Sequence, residues 1–312
     1  MLSRVAENLY WLSRYVERAE NVSRIIDVNH HLMLDMPSGT LNEQWEPIII
    51  ALGEEESFKK KHSNFSKEKV IDFLTFDEEN PNSIISAVNS ARFNARTVRE
   101  SISPEMWEEL NNLYHNIKDY KEEYFDAEDH KELFDNIIKT SHLFVGTTDR
   151  TLMHDEGWHF IRLGRMLERA DKTSRILDLK YFILLPSITD VNTPLDDIQW
   201  GALLKSASAF ESYRRAYNHI NYDSILKFLI LEKDLPRSIR YCINGALRTI
   251  NNISPEFKGN SFNSLFNLSK ELEHKKVDEI KFYGLHEYID LIQQKLNDIG
   301  DGIYQDYFYK VV

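Results

Sequence analysis

Apolar residues recur at positions 5, 9, 12, 16, 19 and 26. Spacings of three, four and seven place them on one face of a helix. The pattern predicts a helix over Leu2–Leu34, stopped by Pro37-Ser38-Gly39. Trp45–Lys61 reads as a second helix and Lys67–Thr75 as a short third. Pro81 is placed at the start of a fourth, where its missing N–H is no loss, and that helix runs to about Ile102. Ser103 as N-cap with Pro104 at the first helical position starts a fifth. A sixth covers about Glu128–Met153, and the same order returns from Asp155 onward. The expected fold class is all-α, a bundle of about twelve helices with no strand.

The two halves also repeat in sequence. Leu12–Val28 reads LSRYVERAENVSRIIDV, and Leu163–Leu179, 151 positions later, reads LGRMLERADKTSRILDL, with nine of seventeen residues identical. At a shift of 155, Trp45 aligns with Trp200, and Glu56-Ser57-Phe58-Lys59-Lys60 with Glu211-Ser212-Tyr213-Arg214-Arg215. Pro81-x-Ser83-Ile84 then aligns with Pro236-x-Ser238-Ile239. The added four residues fall in the second linker, Pro186–Pro194, compared with Met36–Thr40. The shift returns to 151 at Ile102-Ser103-Pro104-Glu105 and Ile253-Ser254-Pro255-Glu256. The period is too long for a solenoid unit. It implies two tandem helical repeats, 1–153 and 154–312, packed as one compact unit around a pseudo-twofold axis.

Composition agrees with long helices. In 312 residues there are only 11 glycines and 8 prolines, with 42% hydrophobic and 28% charged residues. The net charge of −12 argues against nucleic acid as a partner. Cys242 is the single cysteine, so no intramolecular disulfide forms, and its apolar surroundings read as core. The opening residues are charged rather than signal-like, and no apolar run approaches the roughly 18 residues of a membrane span. The expectation is a cytoplasmic protein with no membrane partner.

On a helical wheel the charges of the first helix gather opposite its apolar stripe: Arg14, Glu17, Arg18, Asn21 and Arg24, with Glu20 and Asp27 at the edge. The second copy keeps Arg165, Glu168, Arg169, Arg175 and Asp178, with Asp171 at the edge. Three readings stay open. The charges form a solvated face laced with weak i,i+4 pairs, an interlocking ionic junction between the two helices, or a pocket whose guanidinium forks hold a carboxylate or phosphate. Glu211, Arg214, Arg215 and Arg237 are further candidates for such a site. Glu56, Lys59 and Lys60 occupy the positions matching the first three, Arg240 follows Arg237, and Arg92, Arg96 and Arg99 share a face in the first half alone. No glycine-rich phosphate loop or nucleophile elbow is present. His154-Asp155-Glu156-x-x-His159 sets its histidines five apart, which splays them on a helix, so neither a metal nor another cofactor is expected.

The run Met1-Leu2-Ser3-Arg4-Val5-Ala6-Glu7-Asn8-Leu9-Tyr10-Trp11, then Arg14-Tyr15-x-Glu17-Arg18-Ala19-Glu20-Asn21, resembles the bacterial Alpha-E family. So do Gly157-Trp158-x-Phe160, Leu163-Gly164-Arg165-x-Leu167-Glu168-Arg169-Ala170-Asp171, Glu211-x-Tyr213-Arg214-Arg215 and Pro236-Arg237-Ser238. The family's Glu-Arg motif falls on Glu17-Arg18 and Glu168-Arg169. The resemblance implies an association with circularly permuted ATP-grasp and transglutaminase-like proteins, in a system that makes or cuts peptide or isopeptide bonds. It supplies no catalytic residues to carry over. The resulting expectation is an accessory, partner-binding protein without catalytic activity of its own. The alternatives are an enzyme or binding protein for an anionic ligand, and a purely structural scaffold.

Overall fold

The computed structural model describes residues 1–35, 45–124, 130–182 and 193–309. Among them are fifteen α-helices and no strand, so the chain is all-α. The first half runs α1 (Ser3–Asp35), α2 (Glu46–Leu52), α3 (Glu55–Lys61), α4 (Lys67–Thr75), α5 (Ile84–Thr97), α6 (Pro104–Tyr124) and α7 (Lys131–Thr151). The second runs α8 (Glu156–Phe182), α9 (Pro194–Ser206), α10 (Phe210–Ala216), α11 (Tyr222–Leu226), α12 (Ile239–Ile253), α13 (Asn260–His274), α14 (Val277–Tyr283) and α15 (Leu285–Ile303), with a π-turn at Lys227–Leu231 and another at Tyr304–Phe308.

Local breaks account for the difference from about twelve. The expected helix Trp45–Lys61 is two helices, because Gly53 caps α2 with φ 77° and turns the chain before α3. Its counterpart 155 positions on is Ser208, φ 52°, the one described non-glycine residue in the left-handed region, and there the chain passes from α9 to α10. The fifteenth helix is the short α14. Pro81 lies outside its helix. Ser83 caps α5 by accepting from the Ser86 N–H at 3.2 Å, and Ser238 caps α12 from the Tyr241 N–H at 3.0 Å. α5 ends at Thr97, short of Ile102, and a 3-10 turn over Arg99–Ser101 follows. Ser103 and Pro104 start α6 as expected, but the matching Ser254-Pro255 does not start a helix, and α13 begins at Asn260. The last helix of the first half begins at Lys131 rather than Glu128. The Pro37-Ser38-Gly39 stop and the linkers lie outside the described residues, apart from Pro194 at the start of α9.

α1 and α8 pack against each other at the centre. α5 and α7 flank α1, with α6 against both; α12 and α15 flank α8, with α13 against both. Two short helices cross between the halves: α2 packs on α8, and α9 packs on α1. One continuous core of buried aliphatic and aromatic side chains results. The α1–α8 crossing is close because of two residues that match in the repeat, Ser13 and Gly164. The Ser13 hydroxyl donates to the Ile161 carbonyl at 2.6 Å. A Cβ at Gly164 would stand 2.2 Å from the Tyr10 carbonyl oxygen, so this approach requires glycine.

Cys242 sits fully buried on α12, its Sγ 3.5 Å from the Pro236 carbonyl oxygen, and burial pushes its thiol up to about 12. Thiolate is the reactive form. A disulfide reagent is therefore expected to titrate no thiol in the native protein and one per chain in denaturant; rapid native reaction would contradict this burial.

Candidate functional site

The charged face of α1 does not meet water. It meets the charged face of α8, and the Glu-Arg motif of each helix holds that of the other. Glu17, 1% exposed, accepts from Arg169 Nε at 2.9 Å and Nη2 at 2.8 Å. Glu168, 0% exposed, accepts from Arg18 Nε at 2.7 Å and Nη2 at 3.3 Å, and from Arg14 Nε at 2.8 Å. Position 18 binds the carboxylate at 168, and position 169 binds the carboxylate at 17, so the exchange is reciprocal. Forked guanidinium–carboxylate pairs of this kind combine two charge-assisted hydrogen bonds. The solvated-face reading is overturned for these residues.

Around this exchange the two carboxylates are completed differently. At Glu17, Arg237 enters from the turn before α12 and donates to Glu17 at 3.0 Å, to Asn21 at 3.1 Å and to Glu20. Glu20 also accepts from Arg24 at 2.9 Å and from the Ser141 hydroxyl at 3.0 Å. At Glu168 the position matching Arg237 is Asn82, which accepts from Arg18 at 2.7 Å and donates to Glu54 at 2.5 Å. The charge comes instead from Lys172, which matches Asn21; its ammonium lies 3.6 Å from Glu168 and 3.1 Å from Asp171. Arg175 closes the set on Asp171 at 3.0–3.1 Å and on the Ala51 carbonyl at 3.3 Å.

Burial alone would raise the Glu168 carboxyl, but Arg18 and Arg14 beside it outweigh that and hold it well below the usual carboxylate range. Glu17 is likewise lowered, against its burial, by Arg169 and Arg237. Burial lowers Lys172, in part offset by Asp171 and Glu168.

Not every candidate joins the network. Among the described residues Arg165, the counterpart of Arg14, is buried but pairs only with Asp149, at 3.9 Å, and its Nε has no hydrogen-bond partner. Burial lowers its guanidinium, with Arg169 adding to the effect. Glu211, Arg214 and Arg215 stand exposed on α10, and their counterparts Glu56, Lys59 and Lys60 are exposed on α3. Their repetition has another cause: both helices carry acids in the first turn and bases in the last, which suits the helix dipole. Arg240 donates to the Leu231 carbonyl, Arg92 and Arg99 lie over aromatic rings of α6, and Arg96 lies over Phe93. His154 stacks on Trp158 at 4.0 Å, whereas Asp155 caps the start of α8.

Three participants were not singled out by the sequence, Lys172, Asn82 and Glu54, while Glu20 and Asp171 had been placed only at the edge of the charged arc. The signal for two of them was a swap between halves, Asn21 against Lys172 and Asn82 against Arg237, which moves one cation between two facing positions. Asp178, His286 and Asp290 also offer ligand atoms within 4.8 Å of one another. His286 Nδ1 pairs with Asp178 at 2.7 Å and its ring stacks on Tyr181 at 4.3 Å, which describes a self-contained ion pair between α8 and α15.

Beside the Glu168 cluster opens a cavity of about 180 Å³ lined by Arg14, Arg18, Lys172 and Arg175, with Glu54 and Asp171. A second, of about 360 Å³, shares Arg14, Asp171 and Asn297 with it and is walled by Tyr10, Trp11, Leu296 and Phe308. A roomier cavity of about 500 Å³ lies away from the motif, between Asp27, His31, Lys131 and α9.

Residues 1–308 match the profile of a family described as a predicted alpha-helical domain with a conserved ER motif. Uncharacterized proteins of Mycobacterium bovis and Mycobacterium tuberculosis are each 22% identical over 330 residues, an overlap that takes in 96% of this chain and 36% of the relative. The chain thus spans about a third of the length of the curated relatives it matches. No solved structure gives a significant match.

Proposed function

The chain belongs to the Alpha-E family, and from that premise we propose that it is an accessory, partner-binding protein of an ATP-grasp- and transglutaminase-associated system that makes or cuts peptide or isopeptide bonds. In this reading the ER motif is its structural ionic core, and 1–153 and 154–312 are tandem repeats folded as one cytoplasmic unit. The observation that carries the structural role is the saturation of Glu17 and Glu168. Each carboxylate is buried and takes forked donors from the opposite helix, so neither is poised to accept a proton or attack a substrate. The partner role is supported by the family context and by the mycobacterial relatives, most of whose length lies outside the match.

Co-purification with the associated ATP-grasp protein tests the proposal. A stable complex at micromolar concentration is expected, with or without nucleotide; two separate species under both conditions would overturn it. A second reading, binding of an anionic ligand, is favoured by one specific observation, the arginine-lined cavity beside Glu168.

A further inference from the structure

The cavity beside Glu168 is lined in part by Asn82, the residue whose match in the repeat is Arg237. Arg237 brings a guanidinium onto Glu17, Asn21 and Glu20. Its counterpart Asn82 is shorter and already bonded to Arg18 and Glu54, and beside it a space of about 180 Å³ is open. The missing charge has not been lost with the missing volume. Lys172 supplies it from α8, buried to 8% exposure.

The open space is therefore rich in cations. Arg14, Arg18, Lys172 and Arg175 face it against two carboxylates, Glu54 and Asp171. Two of these guanidinium groups have hydrogen-bonding capacity to spare. Arg14 donates from Nε to Glu168 and from Nη1 to the Tyr10 hydroxyl, leaving Nη2 without a hydrogen bond among the described residues. Arg175 donates from Nε to Asp171 and from Nη1 to Ala51, again leaving Nη2. Side-chain exposures of 18% and 22% mean that both groups are largely out of water. Both residues line the cavity, and a guanidinium with a free Nη2 can donate to an anion bound between them.

Arg14 also sets what would follow the anion. Its guanidinium lies 4.8 Å from the Trp11 ring and borders the second cavity, whose walls include Tyr10, Leu296 and Phe308, with the carboxylates of Asp171 and Asp301 also on its lining. The anionic site thus opens onto an aromatic and aliphatic one. Resting on the ligand-binding reading above, the geometry points to a site for a small amphipathic carboxylate. Its carboxylate sits between Arg14 and Arg175, and its apolar part lies against Trp11 and Phe308. A bare phosphate would use only the first cavity.

Calorimetric titration of the full chain tests this with three probes: N-acetyl-L-phenylalanine, its carboxamide, and inorganic phosphate. The carboxylate is expected to bind about tenfold or more tightly than the amide, the size of one or two charge-assisted hydrogen bonds. Asn82→Arg, which sets a long side chain into the cavity beside Lys172, is expected to weaken carboxylate binding about tenfold or more by occlusion. Arg175→Gln provides a second variant should the first fail to fold. Equal affinity for carboxylate and amide, or affinity unchanged in the folded variants, overturns the assignment. Tighter binding of phosphate than of the carboxylate overturns the amphipathic ligand but leaves anion binding standing; no binding of any probe removes both.

Discussion

Glu168→Ala is expected to destabilise the protein by about 3–5 kcal/mol, measured as a shift in the urea unfolding curve. The size follows from what the carboxylate leaves behind. Glu168 is 0% exposed and faces Arg14, Arg18 and Lys172, so its removal strips two largely buried arginines of their carboxylate and leaves Lys172 with Asp171. Breaking a buried pair by deleting one member carries this cost even where the intact pair contributes little net stability. Glu168→Gln keeps the shape and loses the charge, and most of the cost is expected to remain. Arg214→Ala, on the exposed end of α10, is expected within about 0.5 kcal/mol of the parent. A loss at Glu168 no larger than that at Arg214 would refute the ionic core.

The same carboxylates fix the acid response. Glu17, Glu20 and Glu168 are held below the ordinary value of 4.5 in the folded protein. The unfolded chain then binds protons first as pH falls, so stability from these groups is fully present above about pH 4.5 and is lost as pH drops through the folded values. In Glu168→Ala one contribution to that acid loss is already absent, and the decline below pH 4.5 is expected to be shallower than in the parent.

Gly164→Ala is expected to cost about 2–3 kcal/mol although alanine is the better helix former by about 1 kcal/mol. The new methyl group would meet the Tyr10 carbonyl at 2.2 Å and the Ser13 hydroxyl at 2.6 Å. Both belong to the opposing helix, and the first is backbone, so α1 and α8 must separate. Separation also lengthens the Glu17–Arg169 and Glu168–Arg18 bonds along the same contact. Gly300→Ala is the control. Position 300 is helical too, but nothing lies within 4 Å of its Cβ, so a gain of up to about 1 kcal/mol is expected there. Equal effects at the two glycines would show that helix propensity, not helix approach, governs position 164.

Much of the fold was legible because helix periodicity is a local property. Leu9, Leu12, Val16, Ala19 and Ile26 are all in the core, and the Ser103-Pro104 start is where the pattern puts it. The breaks at Gly53 and Ser208 were not legible, since a single left-handed residue leaves the apolar spacing on either side intact. The site was half legible. A helical wheel separates a charged arc from an apolar one, but it carries no information on whether the charged arc meets water or another charged arc. Repetition pointed to Glu17, Arg18, Glu168 and Arg169, which pair with one another across α1 and α8. It pointed equally to Glu211, Arg214 and Arg215, which stand exposed on α10 apart from that network, acid at one end of a seven-residue helix and bases at the other. Arg165 shows the remaining limit: it matches Arg14 in sequence, yet the two copies send this residue to different partners.

The crossing of α2 onto α8 and of α9 onto α1 carries a consequence for synthesis on the ribosome. An emerging first half has its own apolar helices but lacks the guanidinium groups that neutralise Glu17 and the surface that receives α2. Burying Glu17 before Arg169 and Arg237 arrive would strand a bare carboxylate in the interior. A first half closed around Glu17 by itself is thus expected to be far less stable than the whole molecule, because Arg169 and Arg237 both come from the second half.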